Sequence, residues 1–267
     1  MSRWVLRMLA LVWGLALGCA SAPEQPRHLV LTRELVQEVA PSGTRYQHSP
    51  TVVRWGTDKE PAECRADCSG LMNEVFKRTW SLSDADLAEW LGSSRPLARS
   101  YFRAINRQRG FERIESPGSA RPGDVIAIKY ESGAGNSGHV AIIDDYPVTE
   151  AGLIPTGLLS ANLQGQPLWV WRIKVIDASS TGHGPGDTRY EGSRRVRNGL
   201  GVGVLRLAAD ESGRVVAHSF STSATGAWHP VTERPVVIGR VTGPPARTPE
   251  PSPPANDAAA REPALVD

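Results

Sequence analysis

Two short segments of the sequence contain residues that could act together as a nucleophile and a base. Residues 67–71, DCSGL, are typical of a turn that starts a helix, with Asp67 as the N-cap and Cys68 at the first helical position. Residues 138–143, GHVAII, are typical of the start of a buried strand that carries His139. A helix N-terminus favours a thiolate, and its free N–H groups can stabilise an oxyanion by about 3 kcal/mol per donor. These segments therefore predict a cysteine nucleophile paired with an imidazole.

Cys64 raises other interpretations of Cys68. A disulfide between them is conceivable in an oxidising compartment, but a three-residue spacer makes its geometry awkward. A zinc site with His139 is a further alternative, although no second cysteine pair with ligand spacing follows. We therefore favour a reactive Cys68 and expect no metal and no cofactor. Cys64 is either a thiol that forms a reversible bridge to Cys68 or an incidental, semi-buried cysteine.

The N-terminus has the layout of an export signal. Arg3 and Arg7 accompany an apolar run, residues 8–17, that is too short to span a bilayer. The run ends at Cys19 in a segment that resembles the lipobox of bacterial lipoproteins; ordinary cleavage after Ala20 is the alternative. We expect location in the periplasm or as a lipoprotein anchored in the outer or inner membrane. The predicted organisation is a signal peptide in 1–19, a tether in 20–27, a folded domain in 28–242 and a disordered Pro/Ala-rich tail in 243–267.

Composition and periodicity predict the fold class. A formal charge of +2 argues against a nucleic-acid partner, and 40% hydrophobic residues are ordinary for a globular protein. Helical spacing is found in residues 30–39, 68–78, 84–91 and 97–109, and strands are predicted in 125–128, 140–143, 168–176, 199–207, 215–220 and 236–241. The last strand is expected to close the sheet. This order predicts an α+β fold, in which N-terminal helices pack on an antiparallel β-sheet.

Three motifs resemble, in order and spacing, the core of NlpC-like, papain-fold cysteine peptidases. They are DCSGL in 67–71, PGDVI in 122–126 and SGHVAI in 137–142, and the resemblance extends roughly from Val52 to Ser180. In that family the cysteine opens a helix packed on the sheet, the histidine lies on the second core strand, and a polar residue on the next strand orients it. The resemblance implies a papain-like NlpC-type domain, whose usual substrates are amide bonds in the peptide stems of bacterial cell wall.

The resemblance also implies a role for each residue of a catalytic triad. Cys68 is expected to be the nucleophile, and His139 the general base and later the general acid. Asp177 lies near the end of the following strand and is expected to orient the imidazole. A solvated aspartate at a strand end or turn is the alternative for Asp177.

Further residues are candidates for the oxyanion hole or the substrate cleft, namely Ser69, Tyr46 and Trp55. The family usually has a tyrosine upstream of the cysteine, and Val53 stands at that position here, so the second oxyanion donor is open. The segment 144–166 is predicted to be a loop over one end of the sheet that could shape the cleft. The polar loop 180–189, with His183, Asp187 and Arg189, follows Asp177 and could line the cleft, but we favour a plain surface loop.

These observations together predict an exported cysteine hydrolase that cleaves amide bonds, most specifically in peptidoglycan stem peptides, through a thioester acyl-enzyme. Its expected partners are a peptidoglycan peptide or another amide substrate, and a membrane through a lipid on Cys19 if the lipobox is used. A catalytically silent, cell-wall-associated lipoprotein or binding module on the same fold is the alternative. The presence of Cys68, His139 and Asp177 together argues against that alternative.

Overall fold

The computed structural model describes residues 24–131, 136–150, 167–223 and 226–246. Its helices are α1 (Arg27–Glu38), α2 (Cys68–Trp80), α3 (Asp84–Leu91) and α4 (Ala98–Asn106). Its strands are β1 (Thr44–Arg45), β2 (Val52–Arg54), β3 (Glu63–Arg65), β4 (Phe111–Ile114), β5 (Val125–Lys129), β6 (Gly138–Ile143), β7 (Val148–Glu150), β8 (Trp169–Ser179), β9 (Tyr190–Glu191), β10 (Arg194–Arg195), β11 (Gly199–Ala209), β12 (Val215–Ser219), β13 (His229–Pro230) and β14 (Val236–Val241). The predicted α+β class is confirmed.

Parts of the predicted organisation lie outside this description. The signal peptide with Cys19, most of the insert 144–166 and most of the tail are not among the described residues. The first helix begins at Arg27, one residue before the predicted start of the folded domain. Within the described ranges, none of the helices combines the length and the apolar character that a membrane span needs.

The large sheet is antiparallel and has the strand order β13-β12-β11-β8-β6-β5-β14-β4, with β7 paired to the first half of β8. The predicted hairpin is confirmed, since β5 and β6 pair from Val125↔Ile142 to Lys129↔Gly138. The longest pairing joins β8 to β11 over their full length. These pairings bring the start of β6, the end of β8 and the start of β11 to the same end of the sheet.

The last strand does not continue the meander. β14 returns across the fold and lies between β5 and β4, so it is an interior strand. Gly239 in β14 makes this position possible next to α4, because a Cβ there would lie 2.7 Å from the Cγ1 atom of Ile105. Hydrophobic spacing did not predict the strand β4, since only Phe111 and Ile114 of its four residues are buried.

Two apolar clusters cover the two faces of the sheet. On one face, alternating residues such as Val140, Ile142 and Ile176 pack with α1, α2, α3 and α4. On the other face, the cluster is built from residues of the sheet itself, including Ile114 near one edge and Leu207 toward the other. The turn at Gly213 also reaches Ser116 beyond β4, so the sheet curls around this second cluster.

A small sheet with the order β1-β3-β2 leads the chain into α2. β3 is its central strand and pairs in parallel with β1 and in antiparallel fashion with β2. Cys64 lies in β3 with no solvent exposure, whereas its neighbour Arg65 is exposed. Two residues after β3 ends, Asp67 begins the cap of α2. The small sheet therefore fixes where α2 starts relative to the large sheet.

Gly138 gives a test of how the start of β6 is built. Its φ is +133°, and a Cβ added there would overlap the carbonyl oxygen of Ile128 on β5. We expect Gly138→Ala to lower the free energy of unfolding by about 3 kcal/mol or more, because backbone would have to move at a strand pairing. Thermal unfolding and urea titration measure this effect.

Gly186→Ala is the matched control. Gly186 also has a positive φ, +88°, but a Cβ there would have no neighbour within 4 Å. Its substitution should lower the free energy of unfolding by only about 1–2 kcal/mol, which is the cost of the strained backbone conformation. Equal destabilisation by both substitutions would contradict the overlap at Gly138.

Candidate active site

Cys68 is the first residue of α2, and its side chain lies at the end of the large sheet where β6 begins. Only 7% of the residue is exposed. The backbone N–H groups of Cys68 and Ser69 have no acceptor inside the helix, and none elsewhere in the described residues. These two N–H groups are therefore free to stabilise negative charge on or beside the thiol.

Asp67 holds the start of α2 in place. Its Oδ1 accepts hydrogen bonds from the backbone N–H of Gly70 at 2.6 Å and from the hydroxyl of Ser69 at 3.0 Å. Its Oδ2 lies 2.9 Å from Nδ1 of His48 and 3.2 Å from the guanidinium of Arg95. The carboxylate is thus occupied as a cap. The hydroxyl of Ser69 is committed to the same cap, so only its backbone N–H remains as an oxyanion donor.

His139 joins Cys68 to Asp177. Its Nε2 lies 2.6 Å from Oδ2 of Asp177, and its ring also makes a hydrogen bond with Cys68. Because Nε2 faces the carboxylate, Nδ1 is the nitrogen directed to the thiol. The ring packs edge-on against Phe220, with centroids 5.5 Å apart. The structure therefore brings the three predicted triad residues together in the predicted order.

The charge state of His139 follows from its neighbours. Burial disfavours the imidazolium, but the negative charge of the Cys68 thiolate and the hydrogen bonds to Asp177 and Cys68 outweigh it and raise the pKa of His139 to about 10. The surroundings of His139 thus favour its protonated imidazolium form at neutral pH.

Asp177 is not a solvated strand-end residue. Its carboxylate has no exposed surface and lies in the interior of β8. Oδ2 also lies 2.8 Å from Nε2 of His183, and Oδ1 lies 2.8 Å from the guanidinium of Arg189. Burial disfavours the carboxylate, but Arg189 and the two imidazoles outweigh it and hold the pKa of Asp177 well below its usual range. The carboxylate is therefore ionised and positioned for His139.

The loop 180–189 lies at the surface, as expected, but three of its polar side chains turn inward and support the site. His183, Asp187 and Arg189 are each at most 3% exposed. Arg189 binds Asp187 through two N–H groups, at 2.8 and 2.7 Å, and donates to the carbonyl of Gly199 at 2.9 Å. These three side chains are buried because the loop folds back over β11, where Arg189 and Asp187 bind each other.

A sequence signal for this packing was present in β11. Gly199, Gly201 and Gly203 alternate along the first half of the strand, which leaves one face of that half without side chains. A Cβ at Gly201 would lie 2.8 Å from Nε of Arg189, and one at Gly203 would overlap the Asp187 carboxylate. A glycine at every second strand position indicates the close approach of another segment.

The other cleft candidates lie in different places. Burial and the charges of Cys68 and Asp67 raise the pKa of Tyr46, whose phenol is half-buried and stays a candidate oxyanion donor. Trp55 packs against the helix-side core, and the guanidinium of Arg78 lies 5.5 Å from its ring centroid. Arg78 is ten residues along α2 from Cys68, so Trp55 contacts an arginine near the other end of this helix.

Cys64 is a free thiol in the core and forms no disulfide with Cys68. Burial raises the pKa of Cys64 to about 12, so it stays a neutral thiol. Its complete burial and raised pKa both disfavour thiol exchange with Cys68.

A metal-binding arrangement exists at the triad, with different residues from those considered for zinc. His139, Asp177 and His183 have one potential ligand atom each within 4.8 Å of one another, and neither cysteine belongs to this group. Arg189 places a positive charge 2.8 Å from the same carboxylate, which opposes a cation there. The expectation of no metal stays a prediction.

The charge of His139 can be tested by NMR. In a Cys68→Ala variant we expect the pKa of His139 to fall by about one to three pH units, because the thiolate that stabilises the imidazolium is gone. Titration of the histidine ring signals measures it, and Cys64→Ala is the matched control. An unchanged pKa in Cys68→Ala would contradict the ion pair.

The buried support of Asp177 is tested by Arg189→Met. This substitution leaves two buried carboxylates without their shared guanidinium and should lower the free energy of unfolding by about 3–5 kcal/mol. Arg194→Met, on a side chain that is 79% exposed, should change it by less than about 0.5 kcal/mol. Similar values for both variants in urea denaturation would show that Arg189 is not essential to the site.

Comparison with known proteins gives one informative match. No family model matches the chain, and no solved structure matches it. An uncharacterized protein of Acanthamoeba polyphaga mimivirus is 33% identical over 225 residues, which cover 81% of this chain and 97% of the viral protein. This similarity extends over nearly the whole viral protein and well beyond the triad motifs. The chain therefore belongs to the same protein family as this uncharacterized mimivirus protein.

Proposed function

We propose that the protein is a cysteine hydrolase that cleaves amide bonds through Cys68, His139 and Asp177. The observation that supports this most strongly is the position of His139, hydrogen-bonded on one side to the Cys68 thiol and on the other, at 2.6 Å, to a fully buried carboxylate. A silent binding module has no physical need for a buried charge held by an arginine and two histidines, since burying it is costly.

Catalysis proceeds in two halves. The Cys68 thiolate attacks the amide carbon, and the N–H groups of Cys68 and Ser69, with the phenol of Tyr46, stabilise the oxyanion. His139 gives its proton to the leaving amine as the C–N bond breaks, which leaves a thioester on Cys68. His139 then takes a proton from a water molecule whose oxygen attacks the thioester. The acid is released, and the thiolate–imidazolium pair returns.

The substrate and location in this proposal come from the motif resemblance and the N-terminal sequence. An NlpC-like, papain-type domain is the finer fold assignment, and peptidoglycan stem peptides are the substrate it favours. The export signal and Cys19 support location in the periplasm, free or as a lipoprotein anchored to a membrane. Mass spectrometry of the protein purified from membranes would find Cys19 diacylated as the first residue if the lipobox is used.

The reactivity of Cys68 distinguishes an enzyme from a silent module. Iodoacetamide at pH 6 should alkylate Cys68 in the native protein and leave Cys64 unmodified until the protein is unfolded, because Cys64 is buried and its pKa is raised to about 12. Peptide mass spectrometry measures both sites. Equal, slow labelling of the two cysteines would count against an activated thiol.

Hydrolysis tests the same assignment directly. Cys68→Ala should abolish the digestion of purified muropeptides, whereas Cys64→Ala should retain it. Mass spectrometry of the products measures the digestion. In the wild type, kcat/KM should fall as the pH rises through about 10, since His139 then loses the proton that the leaving amine requires. Undiminished digestion by Cys68→Ala would refute the mechanism. Absence of digestion by the wild type, together with an unreactive Cys68, would favour the silent module.

A further inference from the structure

A second feature of the molecule is a cavity at the small sheet that is lined by four arginines. The cavity has a volume of about 580 Å³. Arg45, Arg65, Arg195 and Arg197 line it together with Asn198, and none of its eight lining residues is acidic. This volume is in the range of sites that bind small molecules.

The arginines carry a net positive charge into the cavity. Arg65 is paired, with its Nε 2.5 Å from Oε1 of Glu63, but Glu63 also pairs with Arg54. Arg195 donates to the carbonyl of Ser180 at 2.6 Å and has no carboxylate partner in the described part of the chain. The Nε of Arg197 is buried and has no hydrogen-bond partner there. Among the four cavity arginines, Arg65 alone has a carboxylate partner in the described residues, and it shares that partner with Arg54.

Strand pairing forces two of these charges together. Arg45 in β1 and Arg65 in β3 are register partners, so their side chains leave the small sheet side by side on the same face. Like charges in directly opposite positions destabilise a sheet. An anion between them removes that penalty, and the planar guanidinium is well matched to carboxylate and phosphate oxygens.

The cavity is connected to the catalytic thiol by short stretches of chain. Arg65 is three residues before Cys68, about 10 Å in extended chain, and Arg45 precedes Tyr46. The Oδ1 of Asn198 accepts a hydrogen bond from the backbone N–H of Tyr46 at 2.9 Å. The chain segments that line the cavity therefore also lead into the candidate active site, at Arg65 before α2 and at Arg45 before Tyr46.

We infer that the cavity lined by Arg45, Arg65, Arg195 and Arg197 is an anion-binding subsite that holds the carboxylates or phosphates of an amide substrate. Its role as a subsite of the substrate rests on the proposed hydrolase function, whereas anion binding by the cavity does not. It makes substrates with two or more negative charges near the cleaved bond the preferred class.

Calorimetry with the full-length Cys68→Ala variant tests the cavity without turnover. The probes are the peptide Glu-Glu-Glu, its neutral analogue Gln-Gln-Gln and inorganic pyrophosphate. At low salt, Glu-Glu-Glu or pyrophosphate should bind and Gln-Gln-Gln should not. Binding should weaken as salt is added, since it is electrostatic. Tighter binding of the peptide assigns the subsite to carboxylates, and tighter binding of pyrophosphate assigns it to phosphates.

Arginine variants locate the binding. In the Cys68→Ala background, the pair Arg45→Gln and Arg197→Gln should weaken anion binding at least about tenfold, because two unneutralised guanidinium groups are lost. Arg194→Gln, an exposed neighbour outside the cavity, should weaken it less than about twofold. Unchanged thermal unfolding confirms that the variants are folded.

The outcomes separate this inference from the proposed function. Binding that is unaffected by the two cavity substitutions, or equal binding of Gln-Gln-Gln, would overturn the anion subsite even if muropeptides are hydrolysed. Anion binding that depends on Arg45 and Arg197 would support the cavity even if no hydrolysis is found.

Discussion

The site depends on one buried negative charge, that of Asp177. A carboxylate without exposed surface is unfavourable unless opposite charge and hydrogen bonds surround it. Arg189 supplies the charge, and His139 and His183 supply the hydrogen bonds. Arg189 is itself fully buried, and Asp187 balances it. The structure can therefore keep Asp177 ionised only if the loop that carries His183, Asp187 and Arg189 folds onto the sheet.

This requirement extends into the backbone. The loop can approach β11 only because Gly201 and Gly203 present no side chains to it. A second polar network, around Asp67, fixes the start of α2 on the other side of the site. The imidazole of His139 lies between these two networks. Its orientation is consequently determined by two rigid supports that are distant from each other in sequence.

The sequence predicted those parts of the fold that have a strong local signal. The starts of α2 and α3 follow from cap residues, because Asp67 and Ser83 each accept from the first turn. The β5–β6 hairpin follows from two apolar runs. The interior position of β14 could not be predicted, since it depends on packing between Gly239 and α4 and not on local propensity. The end of α4 at Asn106, three residues early, reflects the left-handed Gln108.

The proximity of Cys68, His139 and Asp177 was predictable because each lies at or near the start or end of an element with a clear pattern. The residues that support Asp177 were not predicted. His183, Asp187 and Arg189 lie in a polar, glycine-rich loop, and such a composition indicates solvent exposure unless a partner surface is known. That surface is the glycine face of β11, and it can be recognised only when the strand and the loop are considered together.

The burial of Cys64 has a consequence for the protein under oxidative stress. When a thiolate such as Cys68 is oxidised to a sulfenic acid, a nearby thiol usually condenses with it and protects it from further oxidation. Cys64 is enclosed in the core and remains protonated, so it does not provide that protection. Recovery of an oxidised Cys68 must then rely on a small thiol or a reductase that reaches it from solvent. Without one, the oxidation continues to the irreversible sulfinic and sulfonic acids.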